Sequence, residues 1–126
     1  MDSRATKKTG LNEAFVSQFD TWQTVGKNFV QWLDLVRNAD QEQPLTLLAH
    51  NGKRFDARIF VCENARHGVM LPENLTHCDT IDVMKVIFPG KNSYALGKVY
   101  HDLFGEEMPN AHDAAADVAG LVSILK

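Results

Sequence analysis

The chain has 126 residues, of which 44% are hydrophobic and 23% charged, with a formal net charge of −3. That composition belongs to one globular domain and excludes a disordered tail. The acidic balance excludes the broadly basic surface that drives non-specific duplex binding, although cations bound at a site can let an acidic protein hold single strands.

No apolar run is long enough to span a membrane. The charged start, Met1 to Lys8, is followed by no apolar core of a secretory signal. Two cysteines, Cys62 and Cys78, are too few for a disulfide scaffold or a zinc site, and their apolar neighbours lead us to expect reduced, buried thiols in an intracellular protein.

Residues 1–11 carry no clear period, and the expectation is a frayed lead-in closed by Gly10. From Thr24 to Asn38, Val25, Phe29, Trp32, Leu33 and Val36 recur at helical intervals, with Thr24 as candidate N-cap and a sheet to lie on. Asp40 to Pro44 reads as a polar connection, and Pro44 fits just before a strand.

Leu45–Ala49 is an apolar run short enough for a buried strand, and the polar turn His50-Asn51-Gly52 follows it. A helix from about Phe55 to His67 then opens with Asp56 and ends at Gly68. A carboxylate thus stands where a strand ends and a helix begins, the place where ligands bind in open α/β sheets. Taken alone, Asp56 reads as an ordinary first-turn acid facing the helix dipole.

A second strand is expected near 76–80, then a short helix from Asp82 to Phe88 stopped by Pro89-Gly90. Ser93 can cap a helix from Tyr94 to Phe104, ended by Gly105. The last helix is expected from about Ala111 to Lys126, with Asn110 as N-cap and Asp113 completing a capping-box-like pair. Alternating strands and helices make the class α/β. Two strands are few for a sheet, which usually has about four to six.

In the last helix, His112 and Asp117 are five residues apart, about 140° around an ideal helix, so both border one crevice only if His112 lies in a loosened first turn. On spacing alone, Asp113 and Asp117 read as ordinary first-turn acids and His112 as a loop residue.

Three segments in order, His50-Asn51-Gly52-Lys53-Arg54-Phe55-Asp56, then Asn92 to Tyr100, then His112-Asp113-Ala114-Ala115-Ala116-Asp117, resemble the DEDDh family of 3′→5′ exonucleases. The form HNG-x-R-aromatic-D is similar to the second motif of the three-prime repair exonucleases within it. The likeness runs from about Thr9 to the C-terminus. It implies a ribonuclease H-like fold and two divalent cations, Mg²⁺ or Mn²⁺, that clamp the attacking and leaving oxygens of a terminal phosphodiester. Carried over by position, Asp56 and Asp117 match metal-binding acids and His112 the histidine that prepares the nucleophile. His50, Asn51, Arg54 and Tyr94 match positions that line the substrate strand.

The family's first motif, an acid-x-acid pair on the first strand, has no counterpart. The segment from Arg4 to Leu11 resembles the region several tens of residues after it, and the acids of Asp79-Thr80-Ile81-Asp82 come too late in the order. The expectation is therefore a single partial domain over residues 1–126, truncated at the N-terminus, with the first three strands missing. Metal binding should be weak or absent, since Asp56 and Asp117 offer too few oxygens for two ions. The 45–49 strand should be an open apolar edge, to be covered by a protein partner or a second copy. The expected function is two-metal hydrolysis at the 3′ end of a nucleic acid, DNA ahead of RNA, by a chain inactive when alone, in the nucleus or cytoplasm. The alternative is a non-catalytic module that binds nucleic acid or protein. In either case residues 56, 112 and 117 should gather around one metal-facing hollow.

Overall fold

A run of five residues without charge, Leu45–Ala49, forms strand β1, and Leu75–Asp79 forms β2. A computed structural model describes residues 3–37 and 42–126 of the chain. The expected helix end at Asn38 and the first half of the polar connection, from Asp40, lie outside the described residues. The chain divides into two units, Phe19–Thr80 and Met1–Gln18 with Ile81–Lys126.

In the unit Phe19–Thr80, helix α3 (Trp22–Val36) precedes β1, and α4 (Asp56–Arg66) connects β1 to β2. The strands are parallel, in register from Leu45↔Leu75 to Ala49↔Asp79, as a β-α-β unit requires. Thr46 and Thr76 face each other with their hydroxyls 2.9 Å apart. Beneath the sheet Phe60 of α4 meets Trp22, Phe29 and His77 edge to face, at 5.8 to 6.1 Å between ring centroids. The indole of Trp22 donates to the buried Asn64 Oδ1 at 3.3 Å, and Asn64 in turn donates to the Phe60 carbonyl at 2.7 Å. At the C-terminus of α3 the fully buried Arg37 donates to the Glu73 carbonyl at 2.7 Å and to Asp34 at 2.8 Å.

Four expectations need correction in this unit. The first helix begins a turn earlier, capped by Thr21, because the Thr24 and Val25 amides already close onto the Thr21 carbonyl at 3.1 and 3.0 Å. β1 is not buried: Leu48 is 53% exposed, since β2 is its one paired neighbour among the described residues. Cys62 is exposed, because it lies about 200° around α4 from Phe60, the residue that faces the aromatic cluster. β2 ends at Asp79, one residue before the expected end, and Thr80 opens α5 (Thr80–Ile87).

The other unit contains α1 (Ser3–Thr9), α2 (Glu13–Val16), the rest of α5, α6 (Leu96–Phe104) and α7 (Ala114–Leu125). Its core is Met84, Val99 and Leu121, one residue from each of α5, α6 and α7, with Phe88, Tyr94, Leu96 and Ile124 packed around them. Met108 is buried too, over Gly120, where a Cβ would run into the Met108 sulfur.

Residues 1–11 are a correction as well. Ser3–Thr9 is helical and closed by Gly10 at φ +73°, whose amide reaches the Thr6 carbonyl at 2.8 Å. None of its residues is buried, so no apolar period marks it. α6 begins at Leu96 rather than Tyr94, and α7 at Ala114 rather than Ala111, with Asp113 and not Asn110 as N-cap. Asn110 and His112 have φ of +50° and +73°, left-handed values that no helix accommodates, and Asp113 accepts the Ala116 amide instead at 3.1 Å.

Candidate active site

The turn after β1 is built by two residues that tolerate what others do not. Asn51 takes the left-handed conformation, φ +61°. Gly52 is buried so tightly that a Cβ there would lie 2.8 Å from the Ala49 Cβ and 3.1 Å from its carbonyl oxygen. The Arg54 and Phe55 amides then close onto the Asn51 carbonyl at 3.2 and 3.3 Å, and Ala57 onto Gly52 at 2.9 Å, which feeds the chain into α4 with Asp56 as its first residue. No side chain caps this helix start. Its first-turn carboxylate is exposed and stands at the positive end of the helix dipole.

The turn is held from the neighbouring strand. Register puts Asp79 beside Ala49, and its carboxylate accepts the Asn51 amide on Oδ1 at 2.9 Å and the Lys53 amide on Oδ2 at 3.2 Å. The next residue, Thr80, is hydrogen-bonded through Oγ1 to His50 Nδ1 at 3.0 Å. Sequence reasoning set Asp79 aside as out of order. The signal that it matters is the parallel pairing of β1 with β2, which brings two strand ends together and is not written in either segment.

The residues expected to line a substrate strand divide by their surroundings. His50 and Asn51 are half-buried within the turn, whereas Arg54 is exposed and lies over the Phe55 ring, 5.8 Å from its centroid. Beside the turn, α3, α4 and the sheet enclose a hollow of about 460 Å³ lined mainly by Trp22, Phe29, Leu47 and Phe60, with Lys53 and Asp56 among its walls. In the other unit the Tyr94 hydroxyl donates to the Phe88 carbonyl at 2.7 Å and accepts the Lys91 amide at 3.4 Å, and the Lys85 ammonium stands 6.0 Å from its ring centroid. This tyrosine ties the 88–94 loop to the core.

At the start of α7 the His112 backbone amide donates to Asp117 Oδ1 at 3.1 Å. His112 is left-handed at φ +73°, and its imidazole is exposed. Asp117 is half-buried in the first helical turn, with one oxygen committed to that amide. His112 and Asp117 are thus joined through backbone, and Asp56 belongs to the other unit.

Hard divalent cations require several carboxylate oxygens around one point. Among the described residues, no three His, Cys, Asp or Glu side chains gather closely enough to hold a metal ion. Asp56 is exposed and Asp117 has one oxygen already bonded, and two carboxylates offer few oxygens for two ions.

Comparison with known proteins supports the family resemblance. A family model described as exonuclease matches residues 1–125. Three-prime repair exonuclease 1 of Bos taurus is 36% identical over 93 residues, which is 67% of this chain and 30% of that protein. The Homo sapiens protein of the same name is 34% identical over the same shares. Three prime repair exonuclease 2 of Mus musculus is 32% identical over 93 residues, 39% of its length. The match spans well under half of each of these relatives.

Proposed function

Because the chain belongs to the exonuclease family, we propose that it is the part of a 3′→5′ exonuclease that carries the second and third DEDDh motifs and holds the terminal nucleotides of a nucleic acid, DNA ahead of RNA. The observation that carries this reading is the turn at residues 50–56. Left-handed Asn51, a glycine that admits no Cβ and a carboxylate clamp from β2 are spent on delivering Asp56 to a helix start. A chain with no use for that acid gains nothing from so constrained an entry.

In this reading Arg54 meets a backbone phosphate with its planar guanidinium, and His50 and Asn51 meet the sugar or base with their side chains. Asp56 and Asp117 supply carboxylates toward divalent cations, Mg²⁺ or Mn²⁺, which would polarise the scissile phosphate when bound. His112 supplies an exposed imidazole, a side chain suited to taking a proton from water. In the same reading two carboxylates hold metal weakly, and the chain by itself binds strands and cleaves them slowly or not at all. Residence inside the cell, in nucleus or cytoplasm, belongs to the same reading, and the free thiols of Cys62 and Cys78 support it. Among the described residues no helix is long and apolar enough to cross a membrane.

The test is a titration of Mg²⁺ or Mn²⁺ into the purified chain with a 3′-labelled single strand. Strand binding without metal, weakened by Arg54→Ala, is the expected result. Rapid metal-dependent digestion that Asp117→Ala abolishes would overturn the expected inactivity, and no binding at any salt concentration would overturn the strand-holding role.

A second reading is a non-catalytic module that docks on a protein or on a second copy. The exposure of Leu48 on β1, a strand edge with neither charge nor proline inside it, favours this reading.

A further inference from the structure

Two backbone amides that converge on one point form an anion-binding hollow, the device by which many loops hold phosphate. The turn after β1 has this form: Asn51 is left-handed, and the amides of Asn51 and Lys53 point at the same group. The occupant is the chain's own carboxylate. Asp79 is 8% exposed, and each of its oxygens takes one of the two amides, at 2.9 and 3.2 Å. Burial of a charge is tolerated only with such partners.

We infer that Asp79 is a positioning residue, an internal anion that fills the hollow of the 51–53 turn and so fixes where Asp56 begins α4. The assignment deepens the exonuclease reading and, for the role of Asp56, rests on it. Two consequences follow. The amides of the turn are closed to a substrate phosphate, so a bound strand meets this segment through the side chains of His50, Asn51 and Arg54. The end of β2, which carries no motif residue, governs the geometry of the second motif through the register Ala49↔Asp79. Thr80 reinforces it by holding His50 at 3.0 Å.

The test uses the full chain, Asp79→Ala and Asp79→Asn, with two readouts. Amide NMR reports the clamp. In Asp79→Ala the Asn51 and Lys53 amide protons shift upfield and exchange with solvent at least about tenfold faster, and added sodium formate, whose carboxylate fits the vacated hollow, restores both in a saturable way. Asp79→Asn keeps the side-chain volume and loses one acceptor, so one of the two amides is released; it carries the test if the alanine variant does not fold. Unchanged amides in a folded variant, or no response to formate, would overturn the proposal.

Anisotropy with a fluorescent single strand reports the positioning. Asp79→Ala weakens binding about tenfold, and adding Gly52→Ala, which disturbs the turn without removing a side chain that meets the strand, weakens it little more, because both act on one turn. Full additivity, or normal binding with both amides released, would overturn the positioning role. If the parent chain binds no strand while the amide and formate results hold, the clamp stands and the strand-binding reading fails.

Discussion

The two units bury their apolar residues by different means. In the unit of α5, α6 and α7, three amphipathic helices close on one another, and Met84 and Val99 are wholly buried. In the unit of β1 and β2 the apolar stripe is just as regular, yet Val25, Trp32, Leu48 and Ile59 remain 42 to 59% exposed. A helix satisfies its own backbone and needs only a partner for one stripe. A strand needs neighbours on both edges and cover on both faces, and two strands supply one shared edge. The comparison teaches that hydrophobicity in this chain measures demand for cover: the helical unit closes a small core of its own, yet Val86, Ile87 and Val118 on its outer faces are still 81, 57 and 62% exposed.

The sharpest way to break that comparison is to remove equal amounts of apolar side chain from each unit. Met84→Ala deletes a fully buried side chain and should cost about 2–5 kcal/mol in urea unfolding. Leu48→Ala, from a side chain already half in water, should cost less than about 1 kcal/mol. Equal costs would mean that Leu48 is covered in solution.

Glycines sharpen the contrast at the level of the backbone. Gly52→Ala drives a Cβ against Ala49 and should cost about 1–3 kcal/mol, with loss of the protected Ala57 amide as the local sign. Gly97→Ala, in α6 where nothing lies within 4 Å, should be neutral or stabilise by up to about 1 kcal/mol. If both substitutions behave alike, the tight entry to α4 is not the constraint described above.

The same contrast explains what could be read from the sequence. Leu45–Ala49 stood out as a strand and Gly68, Gly90 and Gly105 as stops, because composition and punctuation are local. The helix at Ser3–Thr9 did not, since it buries nothing and leaves no period. The helix starts at Thr21, Ala95 and Asp113 were missed by two or three residues, since several nearby Ser, Thr, Asp or Asn side chains qualify as caps and only backbone conformation chooses among them. At the candidate site, Asp56, His112 and Asp117 were legible as candidates through motif order. Asp79 was not, because its function comes from strand pairing with a segment 28 residues earlier.

A change at the strand edge tests the demand for cover directly. Leu48→Lys places a charge on β1 and should leave unfolding stability within about 0.5 kcal/mol. Sedimentation velocity should show less self-association in the variant than in the parent at the same concentration. Association that is equal in the two would mean that the β1 edge is not the adhesive surface.

The smallest expected effect is electrostatic and lies in the helical unit. The Asp102 carboxylate on α6 accepts a hydrogen bond from the Lys91 ammonium at 2.8 Å, with Lys98 at 3.7 Å and His101 at 4.0 Å, so the 89–95 loop is pinned by charge as well as by Tyr94. The Lys91 hydrogen bond is the main influence that lowers the Asp102 carboxyl below its ordinary value of 3.8; partial burial opposes it, and the charges of Lys91, Lys98 and His101 add to the lowering. A carboxyl lowered on folding stabilises the fold above its unfolded value, and that contribution is lost as pH falls through the lower folded one. The loss is therefore confined to strongly acidic solution, and salt should reduce it because the groups are in contact with water. Titration of the Asp102 side-chain carbon by NMR should give a midpoint below that of an ordinary aspartate, and Lys91→Met should raise it toward that value. A midpoint unmoved by Lys91→Met would mean that the loop is held by Tyr94 alone.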